Sequence, residues 1–535
     1  MKFLSFDRSG WDIGGVAVPW NSHSSIYGHI LAHLQQEKPG LREGGEKLPD
    51  EDHVRGNVGF AWAPGALDGA FGHHGGSSDF AQVSRDVLNA FQALTARATA
   101  ERARALYSLL VQHSAIDYID QLLESLAGDR RIKPDRLYTI AHWIAMGAPD
   151  REPVKTSIAI MGLLRGGDCR DLLLTLGRHE EFTLYVATAL QNMEADPEHW
   201  LWELGKYVTG WGRIHIVERL SGTDNERIRT WLLLEGYRND IMTEYTALTC
   251  AKTGGLLEAL RRSEADEQFL KSAGEILGAL IRGRGAPAEG MEAYPEGAEV
   301  AELYLWRLQN CELDIEAFNA VTTIESFLNE EEGEVQDVKL GWPQRRATIL
   351  DYISEIRSRP GWEEMVHKGL ASDDQQVFWN ATVAAKAFGI DTWEIYFERL
   401  KRGEDHWYFA MQTDDPGRID KVVQLAEERL PLEAIACGPA DELGLGPEFQ
   451  SHSALDFLLQ DLRRFPGKGW LLIRAGLRSP VTRNRNMALR ALSAWKREAW
   501  PAEAEFMLRQ GLNHEPNSDT RELMRKIIAG EILGF

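Results

Sequence analysis

The chain has 535 residues, 44% hydrophobic and 26% charged, and its 59 basic against 81 acidic side chains leave a net charge of −22. That is the composition of a folded chain, too long for one ordinary core unless stacked repeats extend it, and repelled on average by phosphate backbones. No apolar run approaches the roughly 18 residues of a membrane span, and Met1 to Arg8 lack the apolar stretch of a secretory signal, so a cytoplasmic location is expected.

Residues 1–80 are rich in Gly, Pro, Trp and His and offer one helix. Ser24 or Ser25 can cap it, Ile26, Ile30, Leu31 and Leu34 supply its apolar stripe, and Pro39-Gly40 ends it. The rest of this block reads as ordered loop pinned by aromatic residues. From Asp79 the chain becomes helices of ten to twenty residues joined by short turns. The longest candidate is 80–113, with Phe80, Val83, Val87, Leu88, Phe91, Leu94, Leu106, Leu109 and Leu110 in helical period. Ile116 to Leu126, Leu137 to Met146 and a helix opened by Pro153 follow. Residues 81–282 thus form one run of helices, and the Gly- and Pro-rich residues 283–297 a hinge or insertion. Helices resume over 298–535, interrupted by an acidic loop at 329–337 and a second break from Gly438 to Pro447. Strand signals are weak throughout. Four cysteines (Cys169, Cys250, Cys311, Cys437) lie far apart without a Cys-x-x-Cys pattern, which suits a reducing compartment.

One figure recurs. Gly369-Leu370-Ala371-Ser372 precedes a helix carrying Val377, Ala381, Ala384, Ala385 and Phe388. Gly476-Leu477-Arg478-Ser479 precedes one carrying Met487, Ala488, Ala491, Leu492 and Trp495. An offset of 107 positions superposes Gly369 on Gly476, Ser372 on Ser479, Ala381 on Ala488 and Phe388 on Trp495. Earlier helices with the same i, i+4 pairs divide that step into units of about 45–50 residues, close to the period of HEAT and armadillo repeats. Ser479 to Trp495 looks like the second helix of a HEAT-type repeat, and this resemblance extends over about residues 150–500. It implies an all-α, HEAT-like α-solenoid of stacked helix pairs, with residues 1–80 as an irregular cap. The segment from Trp62 to His74 is similar to a motif in uncharacterised bacterial proteins, some named limonene hydroxylase. That resemblance implies a monoterpene-oxidising activity but brings no catalytic residue with it.

Several groups of residues could carry chemistry. His29 and His33 stand one helical turn apart, as two metal ligands would, with Asp68, His73 and His74 as further candidates. Against that stands the ordinary alternative of histidines bonded to loop backbone or facing solvent. The glycines from Gly65 to Gly72 match no phosphate-binding loop, for want of Gly-Lys-Ser/Thr. Cys437-Gly438-Pro439 lacks the surroundings of a haem thiolate, and Glu364 with His367 is a lone Glu-x-x-His where a di-iron bundle needs two. No dinucleotide fingerprint or Gly-x-Ser-x-Gly occurs, so no cofactor is expected and no catalytic residue is assigned.

Charge is unevenly distributed: residues 308–338 hold nine acidic and no basic side chains, and residues 463–497 ten basic and no acidic ones. Arg474, Arg478, Arg483, Arg485 and Arg490 with Trp495 could form an anion-binding or nucleic-acid face, as on the concave surface of HEAT-like alkylation-repair glycosylases. The alternative is a solvated face pairing with the 308–338 region. The leading expectation is a scaffold presenting an extended surface to a protein partner. A hydroxylase, and a nucleic-acid binder disfavoured by the net charge, are the alternatives.

Overall fold

The computed structural model describes residues 4–5, 11–20, 24–51, 63–69, 80–165, 168–262, 266–283, 288–330 and 340–531. Among them regular structure is helical, apart from a two-residue parallel pairing of β1 (Leu4–Ser5) with β2 (Leu164–Arg165) and a bridge between Glu442 and Val481. They fall into two compact units, the first reaching Trp362 and the second running from Glu363.

The first unit contains α1 (Ile26–His33), α2 (Ala81–Ala96), α3 (Ala100–Gln112), α4 (Ala115–Gly128), α5 (Pro134–Gly147) and α6 (Arg151–Leu163). It continues with α7 (Arg170–Leu176), α8 (Glu180–Met193), α9 (Pro197–Gly205), α10 (Trp211–Arg219) and α11 (Glu226–Trp231), which runs into a π-helical turn, Leu232–Gly236. It is completed by α12 (Glu244–Gly254), α13 (Leu256–Arg261), α14 (Glu267–Arg282), α15 (Gly297–Leu308), α16 (Ile315–Leu328) and α17 (Trp342–Arg357). Even-numbered helices pack on the next even-numbered one all the way from α2 to α16, and α13, α15 and α17 form a corresponding odd-numbered row. This order follows from amphipathicity. In α14, for example, Leu270, Ala273, Leu277 and Leu280 recur at three and four residues and are buried, so each helix offers an apolar face to both neighbours in its row.

The candidate helix over 80–113 is two helices. Arg97 is extended (φ −150°, ψ 113°), Thr99 Oγ1 accepts from Arg102 N–H, and the Arg102 guanidinium donates to the carbonyl of Ala93 at 2.7 Å. A capping Thr and an Arg reaching back to the previous helix's last turn satisfy the groups left open by the break. The expected N-terminal helix is present and capped by Ser25, but it ends at His33, and Leu31 is exposed rather than part of the buried stripe. Ile26 and Ile30 are buried, where α1 packs on α5 and α7.

The second unit holds α18 (Trp362–Leu370, which begins at the boundary), α19 (Gln375–Ala387), α20 (Trp393–Lys401), α21 (Trp407–Met411), α22 (Pro416–Arg429) and α23 (Leu432–Ile435). After these come α24 (Gln450–Leu462), α25 (Trp470–Leu477), α26 (Thr482–Ala494), α27 (Ala504–Gly511) and α28 (Ser518–Ala529). Both ends of α19 and α26 lie 107 positions apart, and the superposed pairs Ala381/Ala488 and Ala384/Ala491 are buried in both. Here α21, α24, α26 and α28 pack in one series and α23, α25 and α27 in another. Under the turn before α26, Ser479 and Asn484 are fully buried and bonded to each other at 2.8 Å. Asn484 also donates to Asp456 (2.6 Å) and to the carbonyl of His452 (2.9 Å).

Helices α6 and α8 approach closely, and a β-carbon on Gly162 would lie 2.7 Å from Ala189 Cα. Gly162→Val therefore forces two backbones apart and should destabilise the protein by about 1–3 kcal/mol, read from the urea unfolding midpoint. A midpoint unchanged from wild type would show that the row of helices absorbs the extra volume.

Candidate functional site

Among the described residues of the first unit, a concentrated set of buried charges surrounds Lys155, on the buried face of α6. Its side chain is 3% exposed, and Nζ lies 2.6 Å from Glu181, 2.8 Å from Asp68 and 3.0 Å from Glu152. One turn earlier, Arg151 pairs with Asp50 (3.1 Å) and Glu51 (2.7 Å) and lies 3.8 Å from Glu181. Burial alone would strip the Lys155 proton. The carboxylates of Glu181, Glu152 and Asp68 reverse that and hold the ammonium charged. Burial would likewise push the Glu181 carboxyl up, but Lys155 and Arg151 outweigh it and hold the group at about 2. Glu152 is raised by burial despite Lys155. The Tyr185 hydroxyl is buried beside the cluster without a hydrogen-bond partner, and its ring centroid lies 5.7 Å from the ammonium.

Three parts of the chain supply these groups. Asp50, Glu51, Gly65 and Asp68 come from the N-terminal block, and the others from the first turns of α6 and α8 or close to them. Gly65 N–H donates to Glu181 at 2.9 Å, and a β-carbon on Gly69 would meet the Trp211 ring at 2.4 Å, so residues 65–69 lie close against α8 and α10. Glu180, adjacent to Glu181, accepts from the amides of Thr209 (2.6 Å), Gly210 (2.8 Å) and Gly212 at the start of α10. A carboxylate at a helix N-terminus satisfies amides that have no partner within the helix. Sequence reading passed over this cluster. Its signal was present: Lys155 sits three residues before Ile158, on the apolar period of α6, where an unpaired Lys is not tolerated.

Of the metal candidates, His29 and His33 stack with ring centroids 4.4 Å apart. The His29 ring donates to the carbonyl of Gly45 at 3.1 Å and the His33 ring to that of His29 at 2.8 Å, so one nitrogen of each ring is bonded to backbone. Asp68 is the partner of Lys155, while His73 and His74 lie outside the described residues, as does most of the acidic loop 329–337. Among the described residues no group of three or more His, Cys, Asp or Glu is arranged to hold a metal ion.

The proposed anion-binding face is divided between surface and interior. Arg485 is fully buried, paired with the equally buried Glu515 at 2.8 Å and donating to the carbonyls of Ser479 and Pro480. Trp495 is buried too, its indole N–H donating to the carbonyl of Leu462. Neither side chain reaches solvent, because α26 turns both toward its neighbours. Arg474, Arg478, Arg483 and Arg490 are exposed. Among the described residues, Arg464 pairs with Asp414 and Asp461, Arg483 with Asp456, and Arg497 with Glu505. Arg474 and Arg478 line a cavity of about 740 Å³ between α25, α27 and the Gly438-Pro439 turn.

No family model matches the chain, and no curated protein matches it. A crystal structure described as an engineered protein of the Northeast Structural Genomics Consortium is similar over 84% of this chain and 100% of its own, at 16% identity and a TM-score of 0.22. That score is too low to bear on fold or function. Among the described residues no helix is long and apolar enough to cross a membrane.

Two measurements test these assignments. Burial holds His179, next to this cluster, neutral down to about 4. Its unfolded form takes up a proton near 6.5, so the stability it contributes is complete above pH 6.5 and is lost as pH falls toward 4. His179→Gln should flatten the dependence of urea-unfolding free energy on pH across that window, and a slope identical to wild type would refute the assignment. In the second unit, Arg485→Ala strands a buried carboxylate and should cost about 3–5 kcal/mol, whereas Arg483→Ala removes a half-exposed pair worth about 1 kcal/mol or less. Equal costs for the two substitutions would contradict the burial described.

Proposed function

We propose that the chain is a HEAT-like helical-repeat scaffold whose function is to present helix faces to a protein partner. The observation that carries this reading is the order of packing, in which helices meet others two places along the chain rather than converging on one centre. Such nearest-neighbour stacking is how repeat proteins build extended surfaces. The 107-residue register of α19 and α26 supports it, since the same turn-and-helix unit is used twice with the same buried alanines. Exposed aromatic side chains in the second unit add a recognition surface: Trp379 on α19 and Tyr408 on α21 are 48% and 41% exposed, and both rings pack edge-on against Phe409. The Lys155 cluster fits the same reading as a structural clamp. Its ammonium is held by three carboxylates, which leaves it no free electron pair for nucleophilic chemistry.

Elemental analysis and an absorption spectrum of the purified protein test the proposal against the hydroxylase alternative. A scaffold carries no stoichiometric transition metal and no visible chromophore, and finding either would sink it.

A further inference from the structure

We propose that the groove between α25 and α27 binds an acidic, extended segment of a partner protein, with Arg474 and Arg478 receiving its carboxylates. This rests on the scaffold reading and names the chemistry of one of its contacts. The first observation is a mismatch in pairing. Arg483, Arg485, Arg497 and Arg509 in the surrounding helices each face a carboxylate. Arg474 and Arg478 are exposed, line the cavity, and make no ion pair or side-chain hydrogen bond among the described residues. In a chain with a net charge of −22, two adjacent guanidinium groups left without carboxylates stand ready for an external anion.

The second observation is the groove's other wall. Leu477, Leu508 and Met524 form a buried apolar floor, and Phe506 at the rim is 63% exposed. An aromatic ring so exposed beside an apolar floor is the kind of anchor a bound side chain covers. The spacing then selects the ligand's shape. Residues four apart at a helix end stand about 6 Å apart, close to the roughly 6.5–7 Å between alternate side chains of an extended peptide. Carboxylates at positions one and three can therefore meet Arg474 and Arg478 while an apolar side chain at position five reaches Phe506. A nucleic-acid strand fits less well. Glu503 lies in the same groove and accepts from the Trp470 indole, and Trp495, the other ring of the tract, is buried. A continuous phosphate backbone would meet that carboxylate, and the buried Trp495 offers no face on which to stack a base.

The test is fluorescence anisotropy of the full chain with the labelled, capped peptide Glu-Ser-Glu-Ser-Leu. Saturable binding that weakens with salt is expected, reduced roughly tenfold or more by Arg474→Ala combined with Arg478→Ala, by Phe506→Ser, and by Gln in place of both Glu. All three protein substitutions are on exposed side chains, and circular-dichroism melts verify that the variants remain folded. The proposal is overturned by absence of saturable binding, by equal affinity of the Gln peptide, or by a double variant that binds like wild type. It is also overturned if a single-stranded oligonucleotide binds through the same two arginines while the peptide does not. Failure here with no metal or chromophore present removes the groove and leaves the scaffold reading standing, whereas a stoichiometric metal removes the latter.

Discussion

A fully buried ammonium costs several kcal/mol unless opposite charges meet it at contact distance, and the first unit meets this requirement at Lys155. The partners do not come from its own helix alone. Glu152 is one turn away on α6, but Glu181 belongs to α8 and Asp68 to the N-terminal block. Arg151 draws Asp50 and Glu51 to the same place. Removing any one segment would leave charge stranded in a medium where it is poorly screened, so the block and both helices are bound to one geometry.

This clamp explains the character of the N-terminal residues better than composition does. Two of their glycines serve close approach: Gly69 allows the Trp211 ring to lie against the backbone, and Gly65, at φ +74°, sits where a β-carbon would be 2.7 Å from the carbonyl oxygen of Glu180. In α1, His29 donates to the loop carbonyl of Gly45 and His33 to the helix carbonyl of His29, and His179 donates to the carbonyl of Glu46 while accepting from the Glu181 amide. The described residues of this irregular chain are thereby held by polar contacts as well as by the buried Ile13, Ile26, Ile30 and Leu48.

The second unit solves the same problem with a smaller set of groups. Arg485 and Glu515 satisfy each other in the interior, and Ser479, Asn484, Asp456 and His452 form a closed network under the turn before α26. The turn that marks the repeated motif is therefore built on hydrogen bonds as well as on alanines. These internal pairs take Arg485 out of the surface charge of the tract, whereas Arg474, Arg478, Arg483 and Arg490 are exposed.

Local spacing was enough to establish the helical class, most helix positions and the 107-residue match, since three- and four-residue periodicity and capping are properties of neighbours along the chain. The break at Arg97 to Thr99 was legible only in part, because one Thr amid Ala and Arg signals a cap only when the preceding helix needs one. What spacing could not reveal was partnership. That Lys155 meets Asp68, that Arg485 meets Glu515 thirty residues on, and that Arg474 meets no carboxylate among the described residues depend on which helix faces turn toward each other. Ten basic residues in a row of thirty-five look alike in sequence. Packing sorts them, because a side chain on the inner face of α26 must find its counter-charge within the protein, while one on the outer face is left to water or to a ligand.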